Sequence, residues 1–151
     1  MKKLFVLIML LSLELCPAQA QRIYFKDGAW QSFMNQRSAF ELVCYGLYSN
    51  GVEKNRFYPN GTNANERIAL VPNRFFHVNT LDGDFVYTAK IDGEYLYLSN
   101  RTRTDVKSEP QTGSSWIKLI WCENGNNGMT LFTVDSFGIY RYFRYIGTLD
   151  K

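Results

Sequence analysis

Histidine and cysteine are scarce in this chain of 151 residues, and their scarcity excludes most hydrolytic and metal chemistry. A catalytic triad needs a base that titrates near neutral pH, and a zinc site needs several nitrogen or sulfur ligands. The sequence offers one histidine, His77, and three cysteines. Serine hydrolysis would rest on His77 alone, because no Gly-x-Ser-x-Gly elbow occurs. His77 is therefore read as an ordinary half-exposed strand residue. Neither is there a glycine-rich loop leading into a helix to cradle phosphate, so no nucleotide cofactor is expected. Two acid pairs, Asp82 with Asp84 and Asp92 with Glu94, each bracket the glycine of a tight turn. Acids there serve turn geometry, and the EF-hand spacing is absent, so no metal site is expected either.

Long apolar runs are also missing. The one candidate, Leu4 to Leu13, spans ten residues, against roughly 20 for a helical membrane span, and Glu14 interrupts its continuation. Lys2 and Lys3 precede the run and Pro17-Ala18-Gln19-Ala20 follow it, the three-part pattern of a signal peptide cleaved after Ala20. The expectation is a leader over residues 1–20, an exported (secreted or periplasmic) mature domain over residues 21–151, and no membrane span. Cys16 is not read as a lipid anchor, because Glu14 and Leu15 stand where a lipobox carries small or apolar residues.

Charge of one sign is lacking too. Beyond the leader the basic and acidic residues nearly balance, at fifteen and thirteen, and they are dispersed rather than striped. A nucleic-acid partner is not expected. Export leaves Cys44 and Cys122 in a compartment where disulfides persist, and the two are expected to pair. Closing a loop of about 78 residues would stabilise the fold by roughly 4 kcal/mol in the chain-entropy model.

What is abundant is aromatic: three Trp, ten Tyr and eleven Phe. They lie in short runs with Val and Ile, separated by Gly, Asn and Asp, which is how strands and turns are written. Helical spacing is weak throughout; the best stretch, Trp30 to Leu42, is broken at Asn35-Gln36-Arg37 and leaves room for one short helix. The clearest element is Arg74 to Asn100. Two Asp-Gly turns, at Asp82-Gly83 and Asp92-Gly93, cut it into a three-stranded antiparallel meander. A second hairpin is expected from Trp116–Trp121 to Met129–Val134, and a further strand over Ile139–Ile146. Earlier strands fall at Ile23–Phe25, Phe40–Tyr48, Arg56–Tyr58 and Arg67–Val71, and 101–115 reads as one long loop. Many strands are apolar on both faces.

The fold class is therefore all-β, a single antiparallel barrel or sandwich of about eight to nine strands. A β-trefoil is the alternative, because Val86–Ala89 with Gly93–Leu98 echoes Leu131–Val134 with Gly138–Phe143 at a spacing of 45 residues. Gly28-Ala29-Trp30 resembles the Gly-x-Trp with which lipocalin-like barrels begin. Asp135 with Gly138-Ile139-Tyr140 resembles the corner tyrosine of immunoglobulin-type strands, although Tyr142 stands where that family has its second cysteine. Neither assigns a family.

Tyr and Trp are favoured where surface meets ligand, since they bury large area at low entropy cost. On a strand, Tyr140, Tyr142 and Arg144 share one side, and Arg141, Phe143 and Tyr145 the other. Trp116, Trp121, Tyr140, Tyr142 and Arg144 are accordingly the candidate ligand-binding residues. The sequence-level reading is a non-catalytic exported binding or interaction module for a glycan, small ligand or protein. The alternative is a structural or envelope-associated protein or an inhibitor of another secreted protein, with an enzyme the least supported. Asn60-Gly61-Thr62 and Asn100-Arg101-Thr102 are N-glycosylation sequons, relevant only in a eukaryotic host.

Overall fold

The computed structural model describes residues 21–24, 28–125 and 128–150. The expected leader, the end of the Ile23–Phe25 strand and the tip of the 123–128 turn lie outside them. One short helix, α1 (Ala29–Asn35), precedes the main sheet, entered through Gly28 with φ 85°. Its Trp30, Phe33 and Met34 are buried at the i, i+3, i+4 spacing of one helix face. The helix stops where its sequence turns polar, and Arg37, at φ 54°, redirects the chain into a strand.

The strands are β1 (Gln21–Tyr24), β2 (Ser38–Ser49), β3 (Val52–Phe57), β4 (Arg67–Val71), β5 (Arg74–Thr80), β6 (Gly83–Asp92), β7 (Tyr95–Arg103), β8 (Gln111–Gly125), β9 (Gly128–Asp135) and β10 (Ile139–Thr148). All pairings are antiparallel, and β4 to β10 pair in sequence. Because β10 also pairs with β2, and β2 with β4, eight strands close into an up-and-down barrel. Two strands are extra: β1 pairs with β8, and β3 pairs with the second half of β2.

The barrel expectation holds and the trefoil does not. The 45-residue echo is two similar hairpins, β6–β7 and β9–β10, in one continuous meander. The expected loop 101–115 is also shorter than the sequence suggests. β7 runs to Arg103 and β8 begins at Gln111, so only 104–110 connect them. Arg101 is thus a strand residue, beyond a register shift between Ser99 and Arg101.

Trp30 plugs one end of the barrel. It is fully buried, and its indole Nε1–H donates to the Glu94 carbonyl, 2.8 Å away, in the β6–β7 turn. Above it lie Phe40, Leu70, Phe75, Leu96, Leu119 and Leu131, each all but fully buried. Burying each such side chain is worth about 1.5–3 kcal/mol. The opposite end carries the β5–β6, β7–β8 and β9–β10 connections and is open.

The structure does not support the expected disulfide: Cys44 and Cys122 are free. Cys44 lies opposite Tyr142 on the outer face, whereas Cys122 lies opposite the fully buried Leu131 and packs on the interior core. Between β2 and β8 stand β10 and β9, three inter-strand steps or about 14 Å. Bridged cysteines need Cα atoms within about 7 Å. Burial raises the Cys44 thiol and pushes that of Cys122 up to about 11. Both thiols are therefore protonated and unreactive at neutral pH in the folded chain. Folded, unreduced protein is expected to resist a thiol reagent at pH 7.5 and to yield both thiols once denatured. Recovery of a Cys44–Cys122 crosslinked peptide would refute this strand register.

Candidate functional site

Inside the open half of the barrel is a cavity of about 380 Å³. Its floor is apolar, formed by Leu42, Ile68, Phe75, Leu98 and Phe143. Its walls carry charges that strand alternation turns inward. Phe75 and His77 share the inner face of β5, and Arg141 and Phe143 that of β10.

Two acid–base pairs stand in the wall. The Nε2 of His77 lies 2.6 Å from Oε1 of Glu66, and Asn63 Nδ2 donates to the other Glu66 oxygen at 3.1 Å. Asn63 is held in turn, its Oδ1 accepting from the Asn60 N–H at the start of the short 3-10 turn Gly61–Asn63. Burial alone would raise the Glu66 carboxyl; the hydrogen bond and charge of His77, with Asn63, outweigh it and hold the group below its ordinary value. The second pair is Arg141 with Asp135, whose Nη1 and Oδ2 are 2.5 Å apart. The other Asp135 oxygen accepts from the backbone N–H groups of Phe137 and Ile139, so this acid shapes the β9–β10 turn and fixes Arg141 at once.

A third basic side chain, Arg101, has no acid among the described residues. Its guanidinium carbon lies 3.9 Å from the Phe85 ring centroid, and its Nε is buried with no hydrogen-bond partner. Near it stands Tyr87, whose phenol is raised by burial and drawn back by the charges of Arg101 and Arg141. The rim sets two exposed apolar side chains, Leu81 at 66 % and Phe137 at 77 %, beside Thr80 and Asp82.

Of the residues singled out in the sequence, Trp116 lines the cavity and the other four lie elsewhere. Trp121, Tyr140 and Tyr142 do come together, around Phe132 on the outer face, with Trp121 5.6 Å and Tyr140 5.8 Å from Tyr142. But Trp121 is 5 % and Tyr140 1 % exposed, so neither presents a ring to solvent. β3 closes over one side of this cluster. Tyr140 donates its hydroxyl to the Asn55 carbonyl at 3.2 Å, Tyr142 donates to Glu53 at 2.5 Å, and Arg56 stands over the Tyr142 ring. Arg144 is apart from them, paired with Glu41. Trp116 stands at the cavity mouth, with its ring edge-on to Tyr95.

The expectation of a half-exposed His77 is also corrected: it faces the cavity in a pair with Glu66. The only available signal is its two-residue offset from Phe75, which says that they share a face but not that the face is interior. Around His77 the described residues place no hydroxyl or thiol within hydrogen-bonding distance, so the histidine–carboxylate pair has no nucleophile to activate. Nor do three potential metal ligands converge among the described residues. Asp84 serves its turn, accepting from the Asn79 N–H, and Glu94 pairs with Lys118. No helix among the described residues is long and apolar enough to cross a membrane.

Fold and site together define an antiparallel barrel with an apolar-floored, charge-walled interior cavity open at one end. Compared with models of protein families, with curated proteins and with solved structures, the chain matches none.

Two consequences are measurable. A carboxyl held below its unfolded pKa adds stability that is present above about pH 4.3 and is lost as pH falls through the folded value. Glu66→Gln should therefore cost about 1–3 kcal/mol at pH 7. It should also flatten the fall of urea-unfolding stability below about pH 4.3; parallel acid profiles for variant and wild type would dismiss the pairing. On the outer face, a Cβ on Gly46 would sit 1.8 Å from the Asn55 carbonyl oxygen. Gly46→Ala should push β3 off the Tyr140–Tyr142 cluster, seen as faster amide exchange over 52–57 with the barrel strands still protected.

Proposed function

We propose that the protein is a non-catalytic, exported binding module that holds a small amphipathic molecule inside its barrel. The observation that carries this reading is the cavity. Its volume of about 380 Å³ falls in the usual range for ligand sites, about 300–1,000 Å³. An apolar floor below a few placed polar groups is the common build of such sites. A barrel of eight strands is just wide enough either to fill itself with side chains or to hold one small ligand. Here the lower half is filled, and the upper half is hollow.

Three further features favour this over a structural or inhibitory role. The cavity opens at one end, its rim presents the apolar side chains of Leu81 and Phe137, and its charges converge inward rather than on an outer surface. An aromatic interaction surface on the outer wall is less supported, since Trp121 and Tyr140 are packed away. Catalysis lacks a nucleophile beside His77.

Ser115 provides the test. It lies opposite the inward-facing Leu98 and lines the cavity near its mouth, so Ser115→Trp adds a ring to the hollow without removing any core side chain. Overfilling a site costs about 1–3 kcal/mol in stability. The mature protein, screened by thermal shift against a panel of small amphiphiles, should show binders, and Ser115→Trp should lose them while retaining its barrel circular dichroism. Binders unaffected by Ser115→Trp would move the site out of the barrel, and a blank wild-type screen would favour the structural reading.

A further inference from the structure

The bases in the cavity wall are not all paired. Among the described basic side chains that line it, His77 is matched by Glu66 and Arg141 by Asp135, each within 2.6 Å. Arg101 is matched by nothing: no described carboxylate lies within ion-pair distance, and its Nε is sealed from solvent without an acceptor. A buried donor left unpaired costs about 1–3 kcal/mol, more when charged, so folded proteins rarely keep one idle. The hydroxyl of Tyr87 also makes no hydrogen bond within the described chain, although it stands in the fields of both Arg101 and Arg141. The Phe85 ring against the guanidinium leaves the Arg101 donors at its edges to serve an occupant. Below lies the apolar floor of Phe75, Leu98 and Phe143.

We infer that the ligand is an amphiphile bearing a single acid group, its tail on the apolar floor and its carboxylate received by the Arg101 guanidinium and the Tyr87 hydroxyl. This rests on the reading of the barrel as a small-molecule site and adds the chemical class. An acceptor within reach of Arg101 is what the wall lacks; a second negative charge would meet Glu66, Asp135 and, at the mouth, Asp82. A neutral or cationic head would leave Arg101 as it is, unpaired. A fork of guanidinium donors suits the paired oxygens of a carboxylate. The volume corresponds to about a dozen waters, so a short chain rather than a long-chain lipid fits wholly inside.

Octanoate and 1-octanol share a tail and differ in the head, and both are soluble enough for calorimetric titration of the mature protein. Octanoate should bind wild type at least tenfold more tightly than 1-octanol, the worth of a charge-assisted hydrogen bond. Arg101→Met keeps the apolar stem and should bring that ratio to about one with 1-octanol affinity unchanged. Arg101→Lys should recover part of the preference, and Tyr87→Phe should weaken octanoate several-fold. If Arg101→Met does not fold, Tyr87→Phe carries the test by the same ratio. Equal affinity of wild type for the two probes, or a preference that survives Arg101→Met, would overturn the acid-group inference and leave the binding reading standing. Failure of both probes to bind wild type would overturn the binding reading and this inference with it.

Discussion

The pairing of β10 with β2 is the interaction on which the rest depends. Without it the chain is an open twisted sheet with two free edges, long and aromatic-rich enough to pair with other chains. With it, the sheet has an inside. Each hydrogen bond of that seam contributes only about 1 kcal/mol net, but the seam converts alternation along every strand into a division between core and surface. It joins the first barrel strand to the last, across nearly the whole chain, and no covalent link assists it. The roughly 4 kcal/mol that a disulfide would have contributed must come from packing instead. The fully buried Phe40 and Phe143, set across the seam from Tyr145 and Leu42 respectively, are where that packing is concentrated.

Much of the fold is legible because strands and turns declare themselves locally. Asp82-Gly83 and Asp92-Gly93 set the meander, Arg67–Val71 can be read to the residue, and the break at Asn35-Gln36-Arg37 marks the end of the short helix. Trp30, two residues after the left-handed Gly28, seals one end of the barrel. What is not legible is long-range. Alternation shows that Tyr140, Tyr142 and Arg144 share one side, but nothing local tells which side of a sheet becomes interior when both are apolar. Sequence alone points to the Tyr140 side for a ligand; the hollow lies on the Arg141 side.

The misreadings of the fold have the same origin. Cys44 and Cys122 look like partners because compartment chemistry is all the sequence supplies, whereas register decides reach. Val52–Phe57, with Glu53, Lys54, Asn55 and Arg56 in its middle, gives no sign of covering aromatics. It does so because a bulge at Asn55 crosses the bare Cα of Gly46, a contact that exists only once β2, β3 and β10 are assembled. Arg101 reads as loop because Thr, Asp, Lys, Ser and Pro crowd the residues after it. Its strand pairing is set by β6 and β8 on either side.

The charges inside the barrel make sense only if stability is not the sole demand on it. Replacing a buried ion pair by well-packed apolar side chains is often neutral or stabilising, because desolvating two charges offsets most of their attraction. A barrel shaped for stability alone would continue upward as it begins below, with Leu and Phe. Instead the filling stops above Leu98 and Phe143, and Glu66, His77, Asp135 and Arg141 take over with space between them. Paired, these groups are tolerable and rigid, since Asn63 and the β9–β10 turn fix the acids from behind. A rigid polar wall around a hollow keeps its shape when the hollow is empty, so binding of the kind proposed would require little further ordering. The seam between β2 and β10 therefore does more than close the sheet: by holding Arg141 in register beneath the mouth, it sets the position of the candidate site.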